Sequence, residues 1–469
     1  MIDYEHIVCP YCFSSFSHED FEFRSEFCFT DEGEMEFADE SGIPLKERKK
    51  YLAGQSYKYK QFWSTYGGVT TEATVNRKED KANSIAPYDL PVIHKQDIRE
   101  YIYDGDGFVV GAYDKYNHQL GINHKVCPHC NNPIPNQYGK FPSKRISIIG
   151  IKGSGKTVYI SQLLKDIGRY TSKVGLSAVS LSAHERNFTE NNKVRYNTPL
   201  PEGTLPETLC QPMFYDIGRS NDNGTRDLYT IVLYDIAGEN CEDANKMLKF
   251  SKFVQNSDGL ILLLDPSQLG IGEDANDDVK AASEAINTLH NVFVNSKDKC
   301  KIPIAVCLSK SDMYGDVLPD IARDDVQPTG IGRTGNNKQE FNASDFNRLS
   351  KKVYEILNVN ASELCNTLYT SFWFYNYFCL CAIGCDVDAS TKCPVSNPNP
   401  KRIEEPMYWL LKHFGFISVN ENVKMPNPIF VDGFKEEKVR RFLFQHIERV
   451  PTEIKIDTEE ELVKYLNRE

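Results

Sequence analysis

The chain has 469 residues, with 54 Lys plus Arg against 66 Asp plus Glu, a formal charge of −12. Hydrophobic residues make up 40% and charged residues 26%, so the chain can bury a sizeable core and is not broadly disordered. The acidic balance argues against a general nucleic-acid surface, leaves only a local basic patch open, and requires any site for an anion to concentrate positive charge locally.

At roughly 150 residues per domain the length predicts two or three domains. Fourteen cysteines are many for an intracellular chain and too dispersed for a small disulfide scaffold. Met1 to His6 shows no basic region followed by an apolar core, and no run nears the ~18 apolar residues of a membrane span. The expectation is a cytosolic protein with no membrane partner. Its cysteines then serve as metal ligands, nucleophiles or small buried hydrophobes.

Cys9-Pro10-Tyr11-Cys12 opens the chain, and Cys127-Pro128-His129-Cys130 echoes it. Residues 13–126 lie between, with an acidic stretch (Asp31 to Glu40), a basic one (Lys46 to Lys50) and an aromatic one (Tyr57 to Tyr66). Phe108 to Tyr113 reads as a strand after the Asp104-Gly105-Asp106-Gly107 turn, and Asn131 to Pro142 as a linker. From Arg145 strands and helices alternate. Ile146 to Ile149 is a short buried strand, and Lys156 to Ile167 a helix with Ile160, Leu163, Leu164 and Ile167 on one face. Ala178 to Leu181 is a further candidate strand. Met213 to Ile217 and Leu228 to Tyr234 flank the turn signal Asn223-Gly224, which predicts an antiparallel pair.

Leu260 to Leu264 and Ile302 to Leu308 read as strands, and Val279 to Phe293 as an amphipathic helix. Residues 324–343 are polar and Gly/Asn-rich, as in a surface insertion. A helix over Asp345 to Leu357, an aromatic strand over Ser371 to Ala382 and a helix from Pro406 to Phe414 follow. Residues 416–469 form an accessory α/β tail.

Gly150-Ile151-Lys152-Gly153-Ser154-Gly155-Lys156-Thr157 fits G-x-x-x-x-G-K-[ST] and lies between a buried strand and an amphipathic helix. Gly150, Gly153 and Gly155 let the backbone curl with its N–H groups, that of Ser154 included, pointing inward at a phosphate. The helix N-terminus adds positive partial charge. Lys156 is expected at the β/γ-phosphates, and Thr157 on Mg²⁺. Ile231 to Tyr234 runs into Asp235-Ile236-Ala237-Gly238, an apolar strand ending in an acid that helps hold Mg²⁺, with the Gly238 N–H in reach of a γ-phosphate.

Ser309-Lys310-Ser311-Asp312 resembles the [NT]-K-x-D guanine box of GTPases, with Ser at the first position. The Asp312 carboxylate can accept two hydrogen bonds from the ring N–H and amine of guanine, a donor pair that adenine lacks. Lys310 would lie along the base plane. Cys381-Ala382-Ile383-Gly384 resembles the S-A-x-G box, with the Ala382 N–H meeting the guanine oxygen.

Together these motifs resemble the TRAFAC class of P-loop GTPases, Ras-like at the level of the domain, over residues 143–415. The resemblance implies an α/β fold with a mostly parallel sheet and one antiparallel edge strand. It also places switch I before Met213, where Thr204 or Thr208 would complete the Mg²⁺ shell. Glu239 takes the place of the water-orienting Gln of many Ras-like enzymes. No arginine finger is assigned, and Arg219 and Arg226 read as solvated.

The two C-P-x-C pairs look like knuckles of a zinc ribbon, with Cys9, Cys12, Cys127 and Cys130 closing a structural Zn²⁺ site and residues 13–126 looping out as an α+β insertion. The rival is thioredoxin-like redox chemistry, which needs a long helix after the motif; neither motif starts a convincing one. Cys307 and Cys379 read as core.

The resulting expectation has three regions, 1–142, 143–415 and 416–469. The cofactors are GTP/GDP, Mg²⁺ and Zn²⁺, and the activity is slow hydrolysis of GTP to GDP and phosphate, with a protein partner or effector. With the strand Leu260 to Leu264 running into Asp265-Pro266 and the helix from Pro406 through Trp409 to Leu411, the arrangement also looks like the zinc-ribbon-bearing GTPases of bacterial conflict and defence systems. Two alternatives stay open, a P-loop ATPase and a nucleotide-dependent scaffold with negligible turnover.

Overall fold

A computed structural model describes residues 4–24, 57–65, 92–114, 123–151, 153–203, 211–221, 224–236, 252–271, 287, 291, 298–314, 332–333, 339–441 and 444–467. The architecture is α/β, with a large, mostly parallel sheet. The chain divides into two compact units. The first holds Met1–Ser172, Leu176–Val194 and Pro199–Asp258; the second holds Lys173–Gly175, Arg195–Thr198 and Gly259–Glu469.

In the first unit, β1 (Ile7–Val8) and β2 (Ser15–Phe16) form a hairpin around the first cysteine pair. Next come β3 (Glu22–Arg24), helix α1 (Tyr57–Ser64), β4 (Val92–Ile93), β5 (Ile98–Tyr103), β6 (Val109–Asp114) and β7 (His124–Val126). β3 is flanked antiparallel by β4 and β7, and β5 pairs with β6. The Asp104 carboxylate shapes the β5–β6 turn by accepting from the N–H of Asp106 and of Phe108. Lys125 is buried with its ammonium 4.1 Å from the Phe108 ring and 4.5 Å from the Phe21 ring, and it donates to the Asn136 carbonyl. Burial pushes this amine down to about 7.

The same unit continues with β8 (Ser143–Gly150), α2 (Lys156–Lys165), β9 (Leu176–Ser180), α3 (Ala183–Asn191), β10 (Met213–Ser220) and β11 (Arg226–Ile236). β8 and β11 are parallel, in the register Tyr234↔Ser147 and Asp235↔Ile148. β10 pairs antiparallel with β11 from Met213↔Leu233 to Ser220↔Arg226, as the turn signal predicts. Gly224, at φ +79°, closes that turn by donating to the Asn221 carbonyl. β9 pairs antiparallel with β10 and forms the edge. Helix α2 stops at Lys165, two residues short of the predicted end, because Asp166 leaves helical backbone (φ −114°); a second helical segment, Ile167–Lys173, follows.

In the second unit, β12 (Gly259–Leu264) and β13 (Ile304–Leu308) are parallel and wholly buried, which explains their unbroken apolar sequence. β14 (Gly332–Arg333) and β15 (Gln339–Glu340) pair briefly, then helices α4 (Ala343–Asn360) and α5 (Ser362–Ser371) lead to β16 (Tyr375–Cys379), parallel to β13. β16 is shorter than the predicted aromatic strand, because Ser371 ends α5 and Cys381 already belongs to a loop held by Lys401. Helix α6 (Glu405–His413) is followed by the hairpin β17 (Lys424–Arg441) and β18 (Phe444–Thr458), then by α7 (Glu459–Leu466).

Glu459 anchors this end. Its buried carboxylate accepts from Trp409 Nε1 (2.8 Å), Lys412 Nζ (2.7 Å) and Asn376 Nδ2 (3.2 Å) and faces His413 Nε2 at 3.1 Å. Burial alone would raise its pKa, but His413 and Lys412 outweigh that and hold it at about 2. The predicted 279–293 helix and 324–343 insertion lie largely outside the described residues. Among the described residues, no helix is long and apolar enough to cross a membrane.

Candidate functional site

The phosphate loop leaves the buried end of β8. Gly153 (φ +84°) and Gly155 (φ +78°) both take left-handed backbone, which a side chain would strain. Gly155 caps α2, its carbonyl accepting from Tyr159 N–H. Ser154 is buried, its N–H donates to the Ile151 carbonyl, and its hydroxyl has no hydrogen-bond partner among the described residues. Lys156 and Thr157 are buried in the first turn of α2. The Lys156 ammonium is ion-paired with the Asp235 carboxylate, with side chains 7% and 1% exposed. Asp235 reaches this position because β11 runs parallel to β8 and the two strands end at the same level. Such a buried pair holds together by mutual attraction, and removing one partner would strand a desolvated charge. Lys152, Thr204, Thr208, Gly238 and Glu239 lie outside the described residues.

The candidate base loops belong to the second unit. After β13, Ser309 and Ser311 turn inward. Ser309 donates both its N–H (2.9 Å) and its hydroxyl (3.1 Å) to the Leu264 carbonyl. Ser311 donates its N–H to the Leu380 carbonyl (3.2 Å) and its hydroxyl to the Leu308 carbonyl (2.9 Å). Lys310, in left-handed backbone at φ +51°, reaches Asp265 at 2.7 Å. Asp265 also receives the N–H and hydroxyl of Ser267.

Asp312 is half-buried. Burial pushes its carboxyl above the usual range, against the charge of Lys401 and hydrogen bonds from backbone N–H groups that include Gly384's. The structure therefore brings Asp312 beside the loop that carries Ala382. Cys381 and Lys401 exchange backbone hydrogen bonds across that loop, and Gly384 (φ +68°) packs so closely on the Asn399 carbonyl that no side chain fits. Burial pushes the Cys381 thiol up to about 12, so this cysteine is an inert small side chain at neutral pH.

The four N-terminal cysteines converge. Their sulfurs all lie within 4.8 Å of one another, with Cys9···Cys130 and Cys12···Cys127 each at 3.7 Å. A tetrahedral ion with metal–sulfur bonds of ~2.3 Å has sulfur–sulfur edges of about 3.8 Å, whereas a disulfide needs about 2.05 Å. The two knuckles repeat one construction. Tyr11 and Cys12 donate N–H to the Cys9 sulfur, and His129 donates to that of Cys127. Left-handed residues, Phe13 (φ 60°) and Asn131 (φ 52°), turn each chain back. Neither motif opens a helix, which removes the thioredoxin-like geometry. Asn132 donates to the Cys130 sulfur (3.2 Å) and accepts from Trp63 Nε1 (2.9 Å), so the insertion helix α1 supports the second knuckle.

Two features of these sites were not read from the sequence. Asp265, as the partner of Lys310, was signalled only as the residue that ends an apolar strand. Tyr234 carries a hydroxyl within an apolar strand, and that hydroxyl bonds the carbonyl of Pro10 in the first knuckle.

A Mycolicibacterium smegmatis protein named as a candidate ESX-1 scaffolding and assembly protein, SaeC, is 24% identical over 205 residues, covering 40% of this chain and 51% of that one. The chain thus spans about half the length of the curated relative it matches. Similar solved structures include the S. cerevisiae Ski7 GTPase-like domain bound to GTP (13% identity, TM-score 0.27, 66% of this chain and 58% of that one). Another is sup35 complexed with GDP (11% identity, TM-score 0.22, 56% and 44%). Residues 144–368 match the model of the family described as Double-GTPase 2, which supports a P-loop GTPase domain across that stretch.

Proposed function

We infer that this chain binds GTP with Mg²⁺ and hydrolyses it slowly to GDP and phosphate, as a switch component of a multi-protein system in the cytosol. The observation that carries the reading is the buried Lys156–Asp235 pair beside a loop with two left-handed glycines, inside the stretch that matches the Double-GTPase 2 model. Loop N–H groups and Lys156 take the phosphates, Asp312 selects guanine, Lys310 lies along the base plane, and the Ala382 N–H meets the guanine oxygen. Thr157 and Asp235 are hard oxygen donors of the kind Mg²⁺ prefers, and the ion would neutralise charge on the β- and γ-phosphate oxygens. Thr204 or Thr208, Gly238 and Glu239 are assigned to the γ-phosphate side by motif alone. Cys9, Cys12, Cys127 and Cys130 hold one structural Zn²⁺, a fit supported by the 3.7 Å sulfur–sulfur edges. In this reading residues 1–142 form the zinc-ribbon region, 143–415 the GTPase domain and 416–469 the tail.

A second reading, a nucleotide-dependent scaffold with negligible turnover, is favoured by the match to a protein named for scaffolding and assembly. A role in bacterial defence rests on motif resemblance. Single-turnover hydrolysis of GTP by the purified chain, alone and with candidate partners, separates the two. Turnover that a partner accelerates supports the switch. GTP binding with no phosphate release under any condition supports the scaffold. Metal analysis is expected to find about one zinc per chain. A zinc-free chain whose Cys9 and Cys127 are freely alkylated would remove the ribbon assignment.

A further inference from the structure

The first cysteine knuckle is tied to the strand that carries Asp235. Tyr234 donates its hydroxyl to the Pro10 carbonyl at 2.8 Å, and both residues are buried. Phe13, the residue after Cys12, lies with its ring centroid 5.1 Å from that of Phe253 and 6.3 Å from that of Tyr234, while Tyr234 and Phe253 are 5.4 Å apart. Left-handed backbone disfavours phenylalanine, and the equivalent place in the second knuckle is filled by Asn131, which tolerates it. The first knuckle thus keeps a disfavoured residue where its ring closes an aromatic triad with Tyr234 and Phe253.

Tyr234 directly precedes Asp235 in β11, and successive strand side chains point to opposite faces. One strand end therefore carries the hydroxyl bonded to the knuckle on one face and the carboxylate paired with Lys156 on the other. The register partner of Tyr234 extends this support: Ser147 Oγ lies 2.7 Å from Ser257 Oγ, and the Ser257 hydroxyl donates to the Phe253 carbonyl at 2.8 Å.

We propose that Tyr234 is a positioning residue through which the metal-ordered Cys9–Cys12 knuckle fixes Asp235, so that the cysteine-bound metal and the Mg²⁺-nucleotide bind cooperatively. This rests on the reading of Asp235 as a Mg²⁺ ligand. The metal fixes Cys9 and Cys12, and hence the Pro10 carbonyl between them. With the sulfurs released, that acceptor is no longer held, and the end of β11 gains freedom that Mg²⁺ binding must remove. The coupling is reciprocal, so bound Mg²⁺-GTP raises the affinity for the cysteine-bound metal by the same factor.

The test uses the full chain and Tyr234→Phe, which keeps the ring and removes only the hydroxyl. The readouts are zinc content and GTP affinity as Mg²⁺ is titrated. The variant is expected to hold zinc like the wild type and to need about 5- to 10-fold more Mg²⁺ for half-maximal GTP binding, with Mg²⁺-free affinity moving less than about twofold. Zinc release from the wild type by a thiol-directed reagent should give the same shift, with little further change in the variant. An unaltered Mg²⁺ requirement would overturn the proposal, as would equal weakening with and without Mg²⁺, which marks general structural damage.

Phe13→Leu, which shortens the packing contact and leaves the hydroxyl, is the second variant should the first not fold; it is read in the same way. If the wild type binds no guanine nucleotide, the proposed function fails by itself. Amide exchange across Ile231–Ile236 then decides the coupling: faster exchange on zinc release upholds the link between knuckle and strand, and unchanged exchange overturns it.

Discussion

At Gly153 and Gly155 the candidate phosphate loop is shaped by its backbone. Two left-handed glycines and a helix N-terminus set the loop, and the side chains that matter most are the buried Lys156 and its partner Asp235. The candidate base loops around Ser309–Asp312 and Cys381–Gly384 are shaped instead by alternating side chains. Ser309 and Ser311 turn inward to backbone carbonyls, whereas Lys310 and Asp312 meet Asp265 and the Gly384 N–H. The contrast predicts which substitutions each region tolerates. At Gly153 and Gly155 any Cβ would be strained by the left-handed backbone. In the candidate base loops the inward positions are small buried side chains: the Ser309 hydroxyl satisfies the Leu264 carbonyl, and Cys381 fills space.

Substitutions can break this contrast. The largest effect is expected for Lys156→Ala. It removes the charge that the proposed function assigns to the phosphates and strands the Asp235 carboxylate, so GTP affinity should fall by about 100-fold or more and stability by roughly 3–5 kcal/mol. Calorimetric titration and chemical denaturation check both, and near-native GTP binding would mean that the loop does not take the phosphates. Asp312→Asn should lose about 10- to 100-fold in GTP affinity with ATP affinity little changed, the worth of one set of charge-assisted hydrogen bonds. If GTP and ATP weaken together, the effect is on the fold and not on base choice.

Ser309→Ala sharpens the comparison from the other side. It should cost about 1 kcal/mol of stability through the lost bond to Leu264 and leave the GTP-to-ATP ratio unchanged, as thermal unfolding and competition binding would show. The smallest effect concerns pH. In the proposed function guanine recognition needs the ionised Asp312 carboxylate, and burial raises its pKa. Preference for GTP should therefore fade, as pH falls, at a higher pH than an ordinary aspartate would give. A GTP-to-ATP ratio that holds steady until the usual carboxylate range would remove that role of burial.

Glu459 offers a contrast in sign. Its folded pKa, about 2, lies below the ordinary glutamate value, so it contributes stability above about pH 4.5 that is lost as pH falls toward 2.

Much of the first unit was legible because its signals are local. The glycine loop, the Asn-Gly hairpin and the two C-P-x-C pairs each specify a backbone shape within a few residues. The cysteine cluster needed the fold to unite residues more than a hundred positions apart, yet the repeated motif announced it. Tyr234 was not legible, because its partner is a backbone carbonyl at Pro10 and no side-chain pattern marks such an acceptor. Asp265 was hidden for a related reason: its pairing with Lys310 depends on β12 and β13 lying side by side. The length of the aromatic strand was overestimated because hydrophobicity runs on through Ser371–Phe374 and Leu380–Cys381, where the chain is already capping a helix or entering a loop.

The most direct test of the account is a calorimetric titration of the purified full chain with GTP and with ATP in the same Mg²⁺ buffer. One guanine-nucleotide site per chain is predicted, with GTP at least about tenfold tighter than ATP. Equal affinities for the two nucleotides, or no binding of either, would contradict it.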